Sequence, residues 1–314
     1  MLARIAHDLY WVGRNLARAE FTACAVDGIF QSELQGSSER GPGVTIGWGG
    51  LLAMVGGTPE NEPVTREVAL SRLTLDPDWP GSMRAHIERG REGARTVRDV
   101  ISTEMWEAIN TTRLELRETA RWATPSGPYL ACSFVKERSA LIWGLAERTM
   151  LRDEAKCFLD AGARIEAADM MLRMLRVALP AEATAAEAAD GQALALLQAV
   201  GGFHAYLRAV PAAPNAKPVA RFLLFERTYP DSVAAAVDTL QEALTLADAS
   251  PRNSEPVLRL SRLAADLDFQ RRALADDAEL HATCERVQQE LAAVDQDVAE
   301  RYFAGAAAPG TVVA

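Results

Sequence analysis

The residues best able to do chemistry fall in two short segments. The first holds Tyr10, Trp11, Arg14, Arg18 and Glu20, spaced at helical steps. The second holds Arg152, Asp153 and Glu154, followed by Glu166 and Asp169. At one turn per 3.6 residues, Arg14 and Arg18 share a helix side with His7, Tyr10 and Trp11, opposite an apolar stripe. An exposed face seldom carries Tyr and Trp together, so this side is expected to be covered or to line a cleft. The planar arginine fork matches carboxylate and phosphate. The candidate substrate-binding residues are therefore Arg14, Arg18 and Arg152 with Tyr10, Trp11, Asp153 and Glu154. Glu166, Asp169 and Glu20 are the candidate acid–base groups. The alternative is an internal ion-pair network that fixes helix register, in which those same acids pair the arginines.

Other chemistry-bearing residues read more plainly. Glu104 and Glu107 flank Met105-Trp106 on a solvated helix face, and Glu226-Arg227 reads as a helix-end pair. Cys24, Cys132, Cys157 and Cys284 form no C-x-x-C pair and read as small buried apolar residues. His7, His86, His204 and His281 have no metal-ligand spacing, so neither metal nor cofactor is expected. The Gly41-x-Gly43 and Gly47-x-Gly49 repeats lack the lysine of a phosphate loop.

The elements that must position these residues are helices. Ile5, Leu9, Val12, Leu16, Ala19, Ala23, Val26 and Phe30 follow steps of four and three, which is one face of a helix. Leu151, Phe158, Ala161, Ile165, Ala168, Leu172 and Leu175 form a second stripe. A third comprises Val233, Val237, Leu240, Leu244 and Ala247. A fourth runs from Leu280 through Cys284, Val287, Leu291, Val294 and Val298 to Tyr302, with Asp295 and Glu300 on its solvated side. One long helix is expected from Ser82, an N-cap after Pro80-Gly81, to about Trp122, with Val97, Ile101, Met105, Ala108 and Thr112 inward. Gly36 to Pro63 reads as a Gly/Pro-rich loop, and residues 304–314 as a flexible tail. Val44-Thr45-Ile46 is too short and glycine-flanked for a strand. Further breaks are expected at Pro125–Pro128 and Pro211–Pro218.

Composition narrows the function classes. A net charge of −10 opposes bulk nucleic-acid binding, which needs a basic footprint. The 49% apolar content is enough for a full core. Cations are lopsided, with thirty arginines against Lys136, Lys156 and Lys217. Arg4 and Asp8 interrupt any signal-peptide pattern, and the uncharged run between Arg40 and Glu60 carries seven glycines. The expectation is a soluble, cytoplasmic protein without membrane or nucleic-acid partners.

At an offset of 149 the chain echoes itself: Met1-Leu2 with Met150-Leu151, Ala6 with Ala155, Gly13 with Gly162, and Ala19 with Ala168. The expected architecture is an all-α helical bundle of two related halves, about 1–148 and 149–303, in one domain over 1–303 with a pseudo-two-fold internal repeat.

The opening Leu9-Tyr10-Trp11-Val12-Gly13-Arg14 with Arg18-Ala19-Glu20 resembles the alpha-E family, bacterial all-helical domains of unknown function with a Glu-Arg motif. Pro80-Gly81-Ser82, Ser102-Thr103-Glu104-Met105-Trp106-Glu107, Thr149-Met150-Leu151-Arg152-Asp153-Glu154 and Pro230-Asp231-Ser232-Val233 follow in the family's order. The family pattern is Gly-Arg-x-x-Glu-Arg-Ala-Glu/Asp in each of two helices. The first copy here keeps Arg18 but has Ala17 at the glutamate. The second keeps Glu166 but has Ala167 at the arginine. No Glu–Arg pair can form within either copy, and a pair across them, Arg18 with Glu166, is what remains.

The resemblance implies association with circularly permuted ATP-grasp ligases in amide-bond chemistry on a peptide or amino-acid substrate. It implies an accessory or substrate-holding partner that binds a carboxylate- or phosphate-bearing group between the duplicated helices. Two alternatives stay open: an enzyme in its own right using the cleft carboxylates, and a structural interaction protein such as a homodimer.

Overall fold

A computed structural model describes residues 1–39, 47–55, 64–120, 128–178, 186–273 and 277–305. Among them the chain forms thirteen α-helices and one short 3₁₀ turn, with no strand. Two long helices make the centre: α1 (Ala3–Glu39) and α7 (Glu154–Ala178). The others are α2 (Trp48–Met54), α3 (Arg66–Thr74), α4 (Met83–Thr96), α5 (Thr103–Ala120), α6 (Tyr129–Thr149), α8 (Ala186–Ala199), α9 (Phe203–Ala209), α10 (Ala216–Phe225), α11 (Val233–Ala247), α12 (Glu255–Ala273) and α13 (Asp277–Tyr302). No helix among the described residues is long and apolar enough to cross a membrane.

The central pair packs unusually tightly, and glycine is the reason. A Cβ built on Gly13 would lie 2.1 Å from the Leu159 carbonyl oxygen, and one on Gly162 would lie 1.9 Å from that of Tyr10. Any side chain at either position would push backbone against backbone. Leu9, Val12, Leu16, Phe158, Ile165 and Leu172 from the two stripes are buried in one hydrophobic core. Helix α4 packs on α1, and α11 on α7. Both start alike: the Ser82 hydroxyl accepts from the Ala85 N–H (2.9 Å), and the Ser232 hydroxyl from the Ala235 N–H (3.1 Å). The pairs α5–α6 and α12–α13 pack outside these.

Three sequence expectations are corrected. The long helix from Ser82 is two helices, α4 and α5, with the chain reversing between Val97 and Ser102. The Ser102 hydroxyl caps α5 through the Met105 N–H (3.1 Å), while Val97, Ile101, Met105, Ala108 and Thr112 are all buried as expected. The Gly36–Pro63 loop is helical at both described parts: α1 continues to Glu39, and Trp48–Met54 folds into α2, burying Trp48, Leu51, Leu52 and Met54. Leu151 does not join the second stripe; it precedes the first turn of α7 and is 78% exposed. Val44-Thr45-Ile46, Gly41, Gly43, Pro125 and the tail from 306 onward lie outside the described residues.

Candidate functional site

The site is built where α1, α7, α4 and α13 meet. Glu166, on α7, is buried, and both its oxygens are taken by arginines from α1. Arg14 Nε donates to one (2.9 Å) and Arg18 Nε to the other (2.5 Å). Arg14 Nη1 also donates to Asp295 of α13 (2.7 Å), and the Tyr10 hydroxyl donates to the same carboxylate (2.6 Å). The Arg14 guanidinium lies 4.7 Å from the Trp11 ring centre. Arg14 is thus held by two carboxylates, through Nε and Nη1, and by an aromatic face.

Helix α4 completes the cluster. The Asn15 amide is fixed by donating to the Trp11 carbonyl (2.8 Å), and its oxygen accepts from Arg89 Nε (3.1 Å). Arg89 Nη2 lies 2.7 Å from His86 Nδ1 and also donates to the Pro80 carbonyl. Nδ1 also lies 3.3 Å from Asn15 Oδ1, which can only accept, but a guanidinium can only donate and its contact is the shorter, so Nδ1 is assigned as an acceptor with the His86 proton on Nε2.

The electrostatics follow from burial and these neighbours. Burial alone would raise the Glu166 carboxyl, but the fields of Arg14 and Arg18 and their hydrogen bonds outweigh it and bring it to about 2. Burial, then the charges of Arg89 and Arg18, holds His86 well below its ordinary value, so it is neutral. Burial and then the Asp295 charge push the Tyr10 phenol up. Burial and then Arg18 lower Arg89.

Of the residues singled out in the sequence, Tyr10, Trp11, Arg14, Arg18 and Glu166 come together. The rest do not. Arg152 is exposed and pairs with Glu147 (2.7 Å). Asp153 caps α7, accepting from the Ala155 N–H (3.0 Å), and Glu154 binds the Met1 amino group (2.7 Å). These three sit at the α7 start, and none of their contacts is with the Arg14–Glu166–Arg18 cluster. Asp169 pairs with Arg173 (2.8 Å) and accepts from Gln288 (2.8 Å). Glu20 accepts from the Trp143 indole (2.9 Å), and burial raises its carboxyl. Glu226 and Arg227 sit at the C-terminal end of α10 as expected but do not pair with each other: Arg227 pairs with Asp238 and Asp268, and Glu226 accepts from Thr228. Glu104 and Glu107 are exposed as expected, and the four cysteines are free, with only Cys24 not fully buried.

Sequence reasoning missed Asp295, Asn15, His86 and Arg89. Asp295 sits beside Val294 of the α13 stripe and reads as solvated surface; only packing of α13 on α1 turns it to Tyr10. The signal for Arg89 is its place two turns after the Ser82 cap, which sets it three residues beyond His86 on the same helix.

Comparison with known proteins agrees with the fold. The Alpha-E family model, described as a predicted alpha-helical domain with a conserved ER motif, matches residues 1–303. An uncharacterized protein of Mycobacterium bovis is 25% identical over 274 residues, covering 81% of this chain and 31% of its own length. An uncharacterized protein of Mycobacterium tuberculosis matches with the same identity and coverage. The chain thus spans about a third of the length of these curated relatives. No solved structure matches the chain.

Proposed function

The chain belongs to the Alpha-E family, and on that premise we propose that it is a substrate-holding partner of an ATP-grasp-type amide ligase. In this reading the polar cluster where α1, α4 and α7 meet binds a carboxylate- or phosphate-bearing group of a peptide or amino-acid substrate. The observation that carries this reading is the Arg14–Glu166–Arg18 cluster, which spans both central helices and still leaves Arg18 28% exposed. The relatives, in which the matching stretch is 31% of a longer chain, accord with a unit that works beside further domains.

We read the architecture as two related halves in one domain, 1–148 and 149–303. Two facts support this. Shifting Tyr10 and Gly13 by 149 gives Leu159 and Gly162, and the Gly13–Leu159 and Gly162–Tyr10 approaches are then exchanged. The Ser82 and Ser232 caps stand in the same relation to α4 and α11. In this reading the family's Glu–Arg charges pair across the helices. Arg18–Glu166 is one crossed pair, and Ala17–Ala167 stands where the other would be. The two departures from the motif are then one concerted loss.

Glu166 suits a holding role better than acid–base work. A carboxylate held near 2 by two guanidiniums is a weak base and is not protonated at neutral pH. The test is ATP consumption by a neighbouring ligase with candidate amino acids, with and without this chain. Turnover that rises with the chain supports the partnership. Equal turnover, or turnover by the isolated chain, refutes it, and the second result would make Glu20, whose carboxyl is raised, the group to mutate next.

A further inference from the structure

Arg89 is a cation held in place without an acid. Its hydrogen bonds go to neutral acceptors: Asn15 Oδ1, the Pro80 carbonyl and His86 Nδ1. No carboxylate among the described residues lies within ion-pair distance of it. Its partner Asn15 lies one turn before Arg18 on α1, which puts a like charge on the same side of that helix, and burial and then the Arg18 charge lower Arg89. Arg18 offers no relief, because its acid, Glu166, is shared with Arg14. Only its Nε is bound, and neither terminal nitrogen meets a protein partner among the described residues. With Nδ1 assigned as the acceptor from Arg89, neutral His86 carries its proton on Nε2, for which no partner is found among the described residues.

Charge counting gives the ligand's class. Arg14, Arg18 and Arg89 carry three positive charges; Glu166 and Asp295 carry two negative ones. One negative charge is missing. Like charges on the same side of α1 repel, which a bound anion relieves, and a planar acceptor suits two guanidinium forks.

We propose that Arg18 and Arg89, with the His86 Nε2–H beside them, form an anion subsite that takes a single carboxylate. Arg14, Glu166, Asp295 and Tyr10 are the closed scaffold that positions Arg18, and the ligand-facing charge comes from α1 and α4. This rests on the substrate-holding reading only in sharing its cleft, and it narrows the substrate's anchoring group to a carboxylate.

The experiment is calorimetric titration of the full chain at low ionic strength with N-acetylglycine, and separately with inorganic phosphate. The expected result is saturable one-to-one binding of N-acetylglycine and weaker binding of phosphate. Arg89→Met keeps the apolar stem and removes the charge. It should weaken N-acetylglycine binding by about 10- to 100-fold, while any fall in apo Tm reports the lost hydrogen bonds to Asn15, Pro80 and His86 and is read separately. Arg152→Met, at an exposed cation outside the cluster, should leave binding unchanged. The proposal is overturned by tighter binding of phosphate, by no saturable carboxylate binding, or by an equal effect of Arg152→Met. It is also overturned if Arg89→Met lowers Tm without changing affinity. Carboxylate binding with no effect on a ligase would instead refute the partnership alone.

Discussion

Replacing Glu166 by Gln should unfold this protein more readily than any other single isosteric change in the cluster. The glutamate is 1% exposed and neutralises two arginines at once. Glutamine keeps the shape and one oxygen, so one guanidinium retains an acceptor. The other then faces an NH2 group, donor against donor, and two buried cations lose their shared counter-charge. Breaking a buried pair by removing one partner costs about 3–5 kcal/mol, and for a chain of this size the fall in Tm is on the order of 10 °C. Urea and thermal denaturation followed by circular dichroism would measure it. Glu154→Gln is the matched control, because it removes an exposed carboxylate from its partner, the Met1 amine, and should cost under about 1 kcal/mol. Should Glu166→Gln come within about 0.5 kcal/mol of wild type, the pairing described here does not hold the central helices together.

Other perturbations follow from the same geometry. Gly13→Ala and Gly162→Ala should each destabilise by at least about 2 kcal/mol in denaturant titrations, since the new methyl meets a backbone carbonyl and the gain in helix propensity is smaller. If Ala17 and Ala167 are the vacated crossed pair, Ala17→Glu with Ala167→Arg should be more stable than the sum of the single variants by about 0.5–3 kcal/mol. Strict additivity would instead mean the two positions do not face each other. Arg14→Met should cost more than Arg18→Met in the same assay, because it removes the cation from Asp295 as well as from Glu166, whereas Arg18 pairs with Glu166 alone.

Much of this fold is legible in the sequence because period alone carries it. The stripes of α1, α7, α11 and α13 face the core, and Ser82 caps α4 as a serine after Pro-Gly should. The break between α4 and α5 is invisible to period, because Val97 and Ile101 stay buried through the reversal and keep the four-residue step. Helix α2 is hidden by its glycines: Gly49 and Gly50 read as loop, while burial of Leu51, Leu52 and Met54 decides the outcome. Within the site, the arginines were legible because Tyr10 and Trp11 mark their side as covered. Glu166 was legible through the echo with the first helix. Asp295 and Arg89 were not, because each joins the cluster only by the packing of a distant helix. Arg152 misled for a local reason: it precedes the first turn of α7, where the side chain projects to solvent.

The central claim is that the split Glu–Arg motif closes across α1 and α7 around an ionised Glu166. The most direct measurement is the pH titration of the Glu166 side-chain carboxyl carbon by NMR. The ordinary value for a glutamate is 4.5, and this one should stay ionised down to about 2. A carboxyl depressed in the folded state stabilises fully above its unfolded value, and that contribution is lost as pH falls from 4.5 toward 2. The account predicts a carbon shift that is flat through pH 4.5 and, alongside it, stability that declines below that point. A titration midpoint at or above 4.5 would contradict it.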